Sequence, residues 1–261
     1  MSHHIVEACG LSFAYPDGTA ALRGVSCRFV HGESVGIVGA NGAGKSTLLL
    51  HFNGLLLAQA GEVRIGEMPV TAATRAQVHR TVGYVFQDAD DQLFMPTVEE
   101  DVAFGPLNMG LPADEVKARV RAALETVGAG HLAPRAPYRL SGGEKRAVAI
   151  AGVLAMEPSI LVLDEPSAGL DPAARRRLIG LLRSFTHTRI VATHDLDLVL
   201  EACSRVLVLH EGRVHADGAP REVFADAALL ARCHLEAPRA GWRESVAAAS
   251  VAAAGSRAAC E

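Results

Sequence analysis

A glycine-rich stretch at residues 39–47, GANGAGKST, carries the first candidate chemistry in this chain. It fits the pattern G-x-x-x-x-G-K-[ST], in which backbone N–H groups cradle phosphates, the lysine reaches the β- and γ-phosphates and the serine hydroxyl ligates Mg²⁺. A predicted strand precedes the stretch and a predicted helix follows it, which is the context the pattern requires and disfavours a chance glycine loop. We therefore predict a nucleotide-binding loop made by Gly39, Ala40, Asn41, Gly42, Ala43, Gly44, Lys45, Ser46 and Thr47.

A pair of carboxylates ends the apolar run ILVLDE at residues 160–165. Asp164 is placed to hold Mg²⁺ directly or through water. Glu165, which strand alternation puts on the other side of the chain, could accept a proton from an attacking water. The alternative is that the pair caps a following helix, but that would leave the phosphate loop without an acidic metal partner.

The stretch LSGGE at residues 140–144 has little side chain and exposes backbone N–H groups and one hydroxyl, which suits it to an anion at a helix start. Together with the phosphate loop it resembles the ATP-binding-cassette ATPases, and the resemblance runs from Tyr15 to about Gly218. In that family this signature loop closes over ATP bound by another subunit. The resemblance implies that Ser141, Gly142, Gly143 and Glu144 act on the ATP of a partner chain.

Four further residues receive roles from the same resemblance. Tyr15 matches the aromatic residue that stacks on adenine, although strand propensity leaves a core position as its alternative. Gln87, ending the strand TVGYVFQ, matches the glutamine that senses Mg²⁺ and the attacking water, so Ser46, Gln87 and Asp164 form the expected magnesium set. Asp171 matches a loop that touches the opposite subunit, and His194 matches the histidine that contacts the γ-phosphate.

The bulk composition limits the other classes of function. With 261 residues and a net charge of −4, the chain has no basic block typical of nucleic-acid binding, so no nucleic-acid partner is expected. Its five cysteines are scattered without a C-x-x-C pair, which argues against a zinc or disulfide framework and favours a reducing cytoplasm. The sequence has no signal peptide and no apolar run of membrane length, so another chain must provide the span if this protein works at a membrane. The resemblance implies a peripheral protein at the cytoplasmic face of the cell membrane.

The pattern of short apolar strands and amphipathic helices predicts an α/β fold. With the resemblance, this becomes a P-loop NTPase core with an N-terminal antiparallel β meander and an inserted helical signature subdomain at about 88–157. We expect one ATPase domain over residues 1–240. The alanine-rich stretch 241–261 is expected to be a frayed or weakly helical tail.

The stretch VFQDADDQLFMPTVEEDVAFGPLNMGLP resembles the ATPase subunits of energy-coupling-factor importers, in which this region docks on a transmembrane subunit. Leu93, Phe94 and Met95 would form an apolar knob beside Asp90, Asp91 and Gln92, although composition equally allows an ordinary core contact. GKSTLLLHFNGLL, LSGGEKRAVAIAGVLAMEP and ATHDLDLVLEAC resemble the cobalt and nickel importers most. The expected partners are a second copy of the chain, a transmembrane coupling subunit and a substrate-binding membrane subunit, with ATP and Mg²⁺ bound.

Three positions depart from the wider family. Glu144 replaces a glutamine and adds a negative charge near a phosphate site, Ala147 replaces a frequent arginine, and Ser167 replaces a commoner threonine. None touches Lys45, Glu165 or His194, so we expect an active enzyme. Because one chain carries every half-site element, we expect a homodimer with two equivalent sites. The alternatives are an energy-coupling-factor ATPase for vitamins, a soluble cassette ATPase outside transport, and a nucleotide kinase or GTPase, which would leave LSGGE, Gln87 and His194 unexplained.

Overall fold

The first of two sheets is antiparallel and lies at the N-terminal side of the chain. The computed structural model describes residues 5–239. Strands β1 (Val6–Ala14) and β2 (Ala20–Phe29) pair antiparallel, as the meander predicted. Two strands that follow the phosphate loop in the sequence, β4 (Ala60–Ile65) and β5 (Met68–Pro69), complete this sheet. The strand order is β2-β1-β4-β5.

The second sheet positions the chemistry. Its strands are β3 (Ser34–Val38), β6 (Val82–Val85), β7 (Ile160–Asp164), β8 (Thr188–Thr193), β9 (Arg205–His210) and β10 (Arg213–Gly218), in the order β10-β9-β3-β8-β7-β6. All neighbouring pairs are parallel except β9 and β10. The carboxyl ends of β3, β6, β7 and β8 therefore meet at one edge, which is where ligands bind in open α/β sheets. The predicted α/β class is confirmed.

Nine helices occur in residues 5–239. They are α1 (Lys45–Asn53), α2 (Arg75–Thr81), α3 (Val98–Asn108), α4 (Ala113–Thr126), α5 (Gly142–Leu154), α6 (Pro172–Ser184), α7 (Leu196–Ala202), α8 (Pro220–Ala225) and α9 (Ala227–Arg232). Helix α1 ends where the sequence predicted, at Gly54, whose φ of 81° terminates the helix in the left-handed region. Helices α2, α8 and α9 are short and lacked a sequence signal.

Helices α3, α4 and α5 pack on one another around an apolar cluster of their own, which includes Val98, Val102, Val120, Leu124 and Val148. A larger cluster joins both sheets to α1, where the Phe29 and Phe52 rings meet edge to face at 5.9 Å. The helical cluster falls inside the predicted subdomain, whose limits of 88 and 157 stay a prediction. The predicted tail at 241–261 lies outside the described residues.

Between residues 5 and 239, no helix combines the length and apolarity needed to cross a membrane. Cys9, Cys27, Cys203 and Cys233 are free thiols.

Candidate nucleotide site

The loop between β3 and α1 is shaped by glycines that no other residue could replace. A Cβ atom at Gly39 would lie 2.2 Å from the carbonyl oxygen of Leu209, and one at Gly44 would lie 2.5 Å from that of Ala21. Gly44 also has a φ of 101° and precedes α1 without a capping side chain. The first N–H groups of α1 consequently remain available for an anion, as the sequence pattern predicts.

Lys45 is buried at the start of α1 with its ammonium group inside the loop. Its Nζ donates to the carbonyl oxygens of Gly39 at 2.8 Å and Ala40 at 3.2 Å. The same Nζ lies 3.8 Å from Oε1 of Glu165. The lysine is thus held by neutral carbonyls and one carboxylate at the sheet edge, where phosphate oxygens could replace the carbonyls as its partners.

A cavity of about 300 Å³ opens beside this loop. The Tyr15 side chain is 37% exposed at its edge, so the alternative that Tyr15 is a core residue is wrong. Its hydroxyl lies 3.0 Å from Oγ1 of Thr47, and its ring meets Phe13 edge to face at 5.2 Å. The lining residues are Tyr15, Thr19, Ala20, Ala21, Asn41, Gly42, Gly44, Lys45, Ser46, Thr47, Gln87 and Glu165.

Asp164 is the last residue of β7 and is almost fully buried. Its Oδ2 accepts a hydrogen bond from the Tyr84 hydroxyl at 3.2 Å, while its Oδ1 is buried without a partner among the described residues. Burial raises the pKa of the Asp164 carboxyl, and hydrogen bonds from Ser46 and Tyr84 oppose this rise. The result is a buried carboxylate with one uncommitted oxygen. Tyr84 was not among the predicted site residues, because the sequence gives it no signal beyond its place in a buried strand.

Glu165 does not continue the strand, and the expectation from strand alternation is wrong. Its φ is 44°, in the left-handed region, and its N–H donates to the carbonyl oxygen of Ala192 on β8 at 2.8 Å. This turn brings Glu165 to the same edge as Asp164. Its Oε2 accepts from the Thr193 hydroxyl at 3.1 Å and from His194 N–H at 3.3 Å, and lies 2.9 Å from His194 Nδ1. Three groups at the carboxyl end of β8, on Thr193 and His194, therefore orient one carboxylate oxygen.

Gln87 lies two residues beyond β6 rather than at its end. It lines the cavity with Lys45 and also an adjacent cleft with Ser46 and Asp164. The carbonyl oxygens of Phe86 and Gln87 both accept hydrogen bonds from the buried guanidinium of Arg146. The sequence does not single out Arg146, although Ala147, one position later, departs from the arginine that is frequent there.

The signature residues 141–144 are absent from the lining of this cavity. Ser141 caps α5, and its hydroxyl and N–H both donate to Oε2 of Glu144 at 2.8 Å. Asp171 caps α6, because its Oδ1 accepts from the N–H groups of Ala173 and Ala174 at 2.8 Å. Both caps lie apart from the chain's own phosphate loop. The spacing of Ser141 and Glu144 in the cap of α5 is a sequence signal for a helix start.

An apolar patch lies on the helical cluster. Phe94 is 63% exposed and meets Phe104 edge to face at 4.9 Å, and Leu107 is 55% exposed. Oδ1 of buried Asp101 accepts the N–H groups of Phe94 and Met95, each at 3.0 Å. Of the predicted knob, Phe94 alone projects, because Leu93 packs into the helical cluster and Met95 is half-buried.

Comparisons with known proteins agree with this geometry. The family described as ABC transporter matches residues 22–168. The energy-coupling factor transporter ATP-binding protein EcfA of Methanocaldococcus jannaschii is 48% identical over 241 residues, which cover 90% of this chain and 86% of that protein. CbiO1 from Clostridium perfringens, described as part of the ABC transporter complex CbiONQ, has a TM-score of 0.77 and 42% identity, covering 88% of this chain and 94% of that one.

A third solved structure is an ATP-binding cassette described as dimeric, in a post-hydrolysis state bound to ADP and Pi. Its TM-score is 0.76 at 28% identity, and the match covers 83% of this chain and 99% of that one. A matching family over more than half of the chain, with relatives of this similarity, settles the assignment. The chain belongs to the ABC transporter family as an ATP-binding, ATP-hydrolysing subunit of energy-coupling-factor type.

Proposed function

We propose that this chain is the motor subunit of an energy-coupling-factor importer for cobalt or nickel ions, bound at the cytoplasmic face of the membrane. The observation that carries the proposal is the meeting of Lys45, Gln87, Asp164 and Glu165 at one sheet edge while the signature loop lies outside it. Such a site is incomplete for closing on ATP without a second copy, which supports a homodimer. The dimeric cassette among the similar structures supports the same assembly.

Magnesium fits the residues proposed to hold it. Asp164 has a buried oxygen without a partner among the described residues, and Ser46 and Gln87 line the same cleft. Oxygen donors of this kind are what Mg²⁺ prefers, so Ser46, Gln87 and Asp164 would hold it beside the phosphates. When bound, it would neutralise phosphate charge during transfer.

Glu165 is proposed to accept the proton of the attacking water. Its Oε2 is fixed by Thr193 and His194, which leaves Oε1 facing the cavity near Lys45. A carboxylate fixed in this way can hold a water in line without a reorganisation step. Lys45 and the N–H groups at the start of α1 would bind the phosphates, Tyr15 would stack on adenine, and His194 would orient Glu165 or the γ-phosphate.

The apolar patch of Phe94, Phe104 and Leu107 is proposed to dock the transmembrane coupling subunit. Two exposed aromatic rings beside an aliphatic side chain match the apolar face of a helix, and aromatic residues are enriched at the centres of interfaces. Asp101 fixes the backbone under Phe94, so the patch is presented in one conformation. A substrate-binding membrane subunit would complete the importer and set its selectivity.

The choice of cobalt or nickel rests on the resemblance of residues 44–56, 140–158 and 192–203 to such importers and on the similarity to CbiO1. Uptake of labelled cobalt and nickel in metal-starved cells, with the chain expressed alongside its genomic neighbours, tests it. Glu165→Gln and Phe94→Ser should each abolish uptake, and Phe94→Ser should keep the ATPase activity of the isolated chain. Exposed Glu67→Gln is the matched control.

The outcomes separate the alternatives. Uptake of neither metal by the wild-type assembly, together with uptake of a labelled vitamin, would move the chain to the vitamin importers. ATPase activity without any membrane association would favour a non-transport cassette ATPase. Metal uptake that persists in Glu165→Gln cells lacking other importers would overturn the proposal.

A further inference from the structure

Three side-chain links join the segment after β6 to helix α5, which begins at the signature loop. Arg146 donates from Nη1 to the carbonyl oxygen of Phe86 at 2.7 Å and from Nη2 to that of Gln87. Gln92 donates from Nε2 to the carbonyl oxygen of Ala149 at 2.7 Å, and its Oε1 accepts the Phe86 N–H at 3.2 Å. The bonds between this segment and α5 join residues that are 57 to 60 positions apart in the sequence.

A third link lies nearer the solvent, where Lys145 Nζ bonds to Oδ1 of Asp90 at 2.6 Å. Because this ion pair is exposed and screened by solvent, it contributes little to holding the two elements together. Arg146 differs because it is only 7% exposed and its planar fork grips two consecutive carbonyls. The negative charges of Asp88 and Asp164 also act on it. Moving a buried guanidinium held in this way would destabilise the folded chain, because its donors would lose their hydrogen-bond partners inside the protein.

We propose that Arg146 is a positioning residue that couples the two ATP sites of the dimer. Through the Gln87 carbonyl it ties the backbone at one ATP site to the helix whose N-terminus faces the other. The backbone at Phe86 and Gln87 cannot shift toward a bound phosphate without moving α5 or breaking these bonds, since Arg146 and Gln92 connect the two. Ser141, which caps α5, lies little more than one helical turn from Arg146.

The inference rests on the proposed roles of Gln87 and of the signature loop. It adds that the chain's own residues transmit ATP occupancy from one site to the other. Loss of the two-carbonyl grip should therefore affect turnover and cooperativity, and leave the binding of ATP to Lys45 and the phosphate loop intact.

Arg146→Lys tests this because lysine keeps the charge but presents a point donor in place of a fork. We expect ATP affinity within about twofold of wild type, a fall in kcat of at least about tenfold, and a Hill coefficient for ATP reduced to about 1. Arg121→Lys, an exposed change on α4, is the matched control and should leave all three values unchanged. Gln92→Glu is a second variant, since it replaces the donor to Ala149 with a repelling oxygen.

Hydrogen exchange supplies a readout that does not depend on turnover. A Gly143→Asp background places a carboxylate in the signature loop, so that a partner's nucleotide cannot be engaged. In this background, ATP should lower exchange in both residues 84–92 and 140–150 when Arg146 is present. In Arg146→Lys, the protection should be confined to residues 84–92.

Two results would overturn the inference. One is a folded Arg146→Lys chain with wild-type kcat and Hill coefficient, and the other is a loss of ATP affinity in proportion to kcat, as a merely structural role would cause. Gln87→Ala separates this failure from a failure of the proposed site. If Gln87→Ala keeps full turnover, the assigned role of Gln87 is wrong, whereas an inactive Gln87→Ala beside a fully active Arg146→Lys refutes the coupling alone.

Discussion

Replacing Glu165 by glutamine removes the proposed base while leaving almost every contact of the side chain in place. In the structure, Oε2 accepts from Thr193 at 3.1 Å and from the backbone of His194 at 3.3 Å, and Oε1 lies 3.8 Å from Lys45 Nζ. A glutamine oxygen can accept the first two bonds. Neither the left-handed backbone at position 165 nor its bond to Ala192 depends on the carboxylate.

The expected loss follows from the role. A positioned general base contributes about 10²- to 10⁴-fold to the rate, which corresponds to about 3 to 5 kcal/mol of activation free energy. ATP affinity should stay the same or rise, because Lys45 and the N–H groups of α1 remain and one negative charge near the phosphates is removed. The variant should therefore accumulate as an ATP-bound dimer.

The assay combines phosphate release under saturating Mg²⁺ and ATP, equilibrium ATP binding and the mass of the complex in solution, with Glu67→Gln as control. A Glu165→Gln chain that keeps more than about a tenth of the wild-type kcat would refute the assignment of Glu165 as the base. A chain that stays monomeric with ATP would refute the trapped dimer.

Combining Glu165→Gln with His194→Ala distinguishes two roles for the histidine. No further loss means that His194 acts by orienting Glu165, and an additive loss means that it contacts the phosphate itself.

Three other predictions concern single side chains. Tyr15→Ala should raise the KM for ATP through loss of a stacking platform worth about 1–3 kcal/mol, whereas Tyr15→Phe, which loses only the contact with Thr47, should change it little; steady-state kinetics of both variants checks this. Tyr84→Phe removes the bond to Asp164, so titration of activity against Mg²⁺ should show a higher half-saturating concentration, and an unchanged value would contradict the contact's role. Burial raises the pKa of Asp101 above 3.8, so the folded chain holds this proton more tightly than the unfolded chain. Relative to non-titrating Asp101→Asn, wild-type stability should fall as the pH rises through that raised pKa, as urea unfolding at several pH values can measure.

The parts of the fold that depend on residues adjacent in the sequence could be predicted from it. The phosphate loop sits between β3 and α1 because glycines, lysine and serine at fixed spacing specify that turn locally. The apolar run before Asp164 became a central strand buried on both faces, as parallel sheets require. In both cases the pattern of a few consecutive residues contains the physical cause.

The sequence predictions failed for residues whose conformation or contacts depend on partners far away in the chain. Glu165 leaves the strand geometry with a φ of 44°, and its side chain is held by Thr193 and His194, 28 and 29 residues away, which alternation along one strand cannot reveal. The roles of Arg146 and Tyr84 depend on partners about 60 and 80 residues away. A single sequence contains no local pattern that connects positions so far apart.

The structure shows where the charge of Glu144, which departs from the family pattern, acts. Its added charge is directed at its own loop, since Oε2 accepts both the N–H and the hydroxyl of Ser141 at 2.8 Å. Those bonds also lower the pKa of the Glu144 carboxyl, so it is ionised at neutral pH. A phosphate that approaches the loop must compete with this carboxylate for the serine hydroxyl. In the proposed dimer, the N–H groups of Gly142 and Gly143, which the helix start leaves without intrahelical partners, would therefore make the first contact with a partner's ATP.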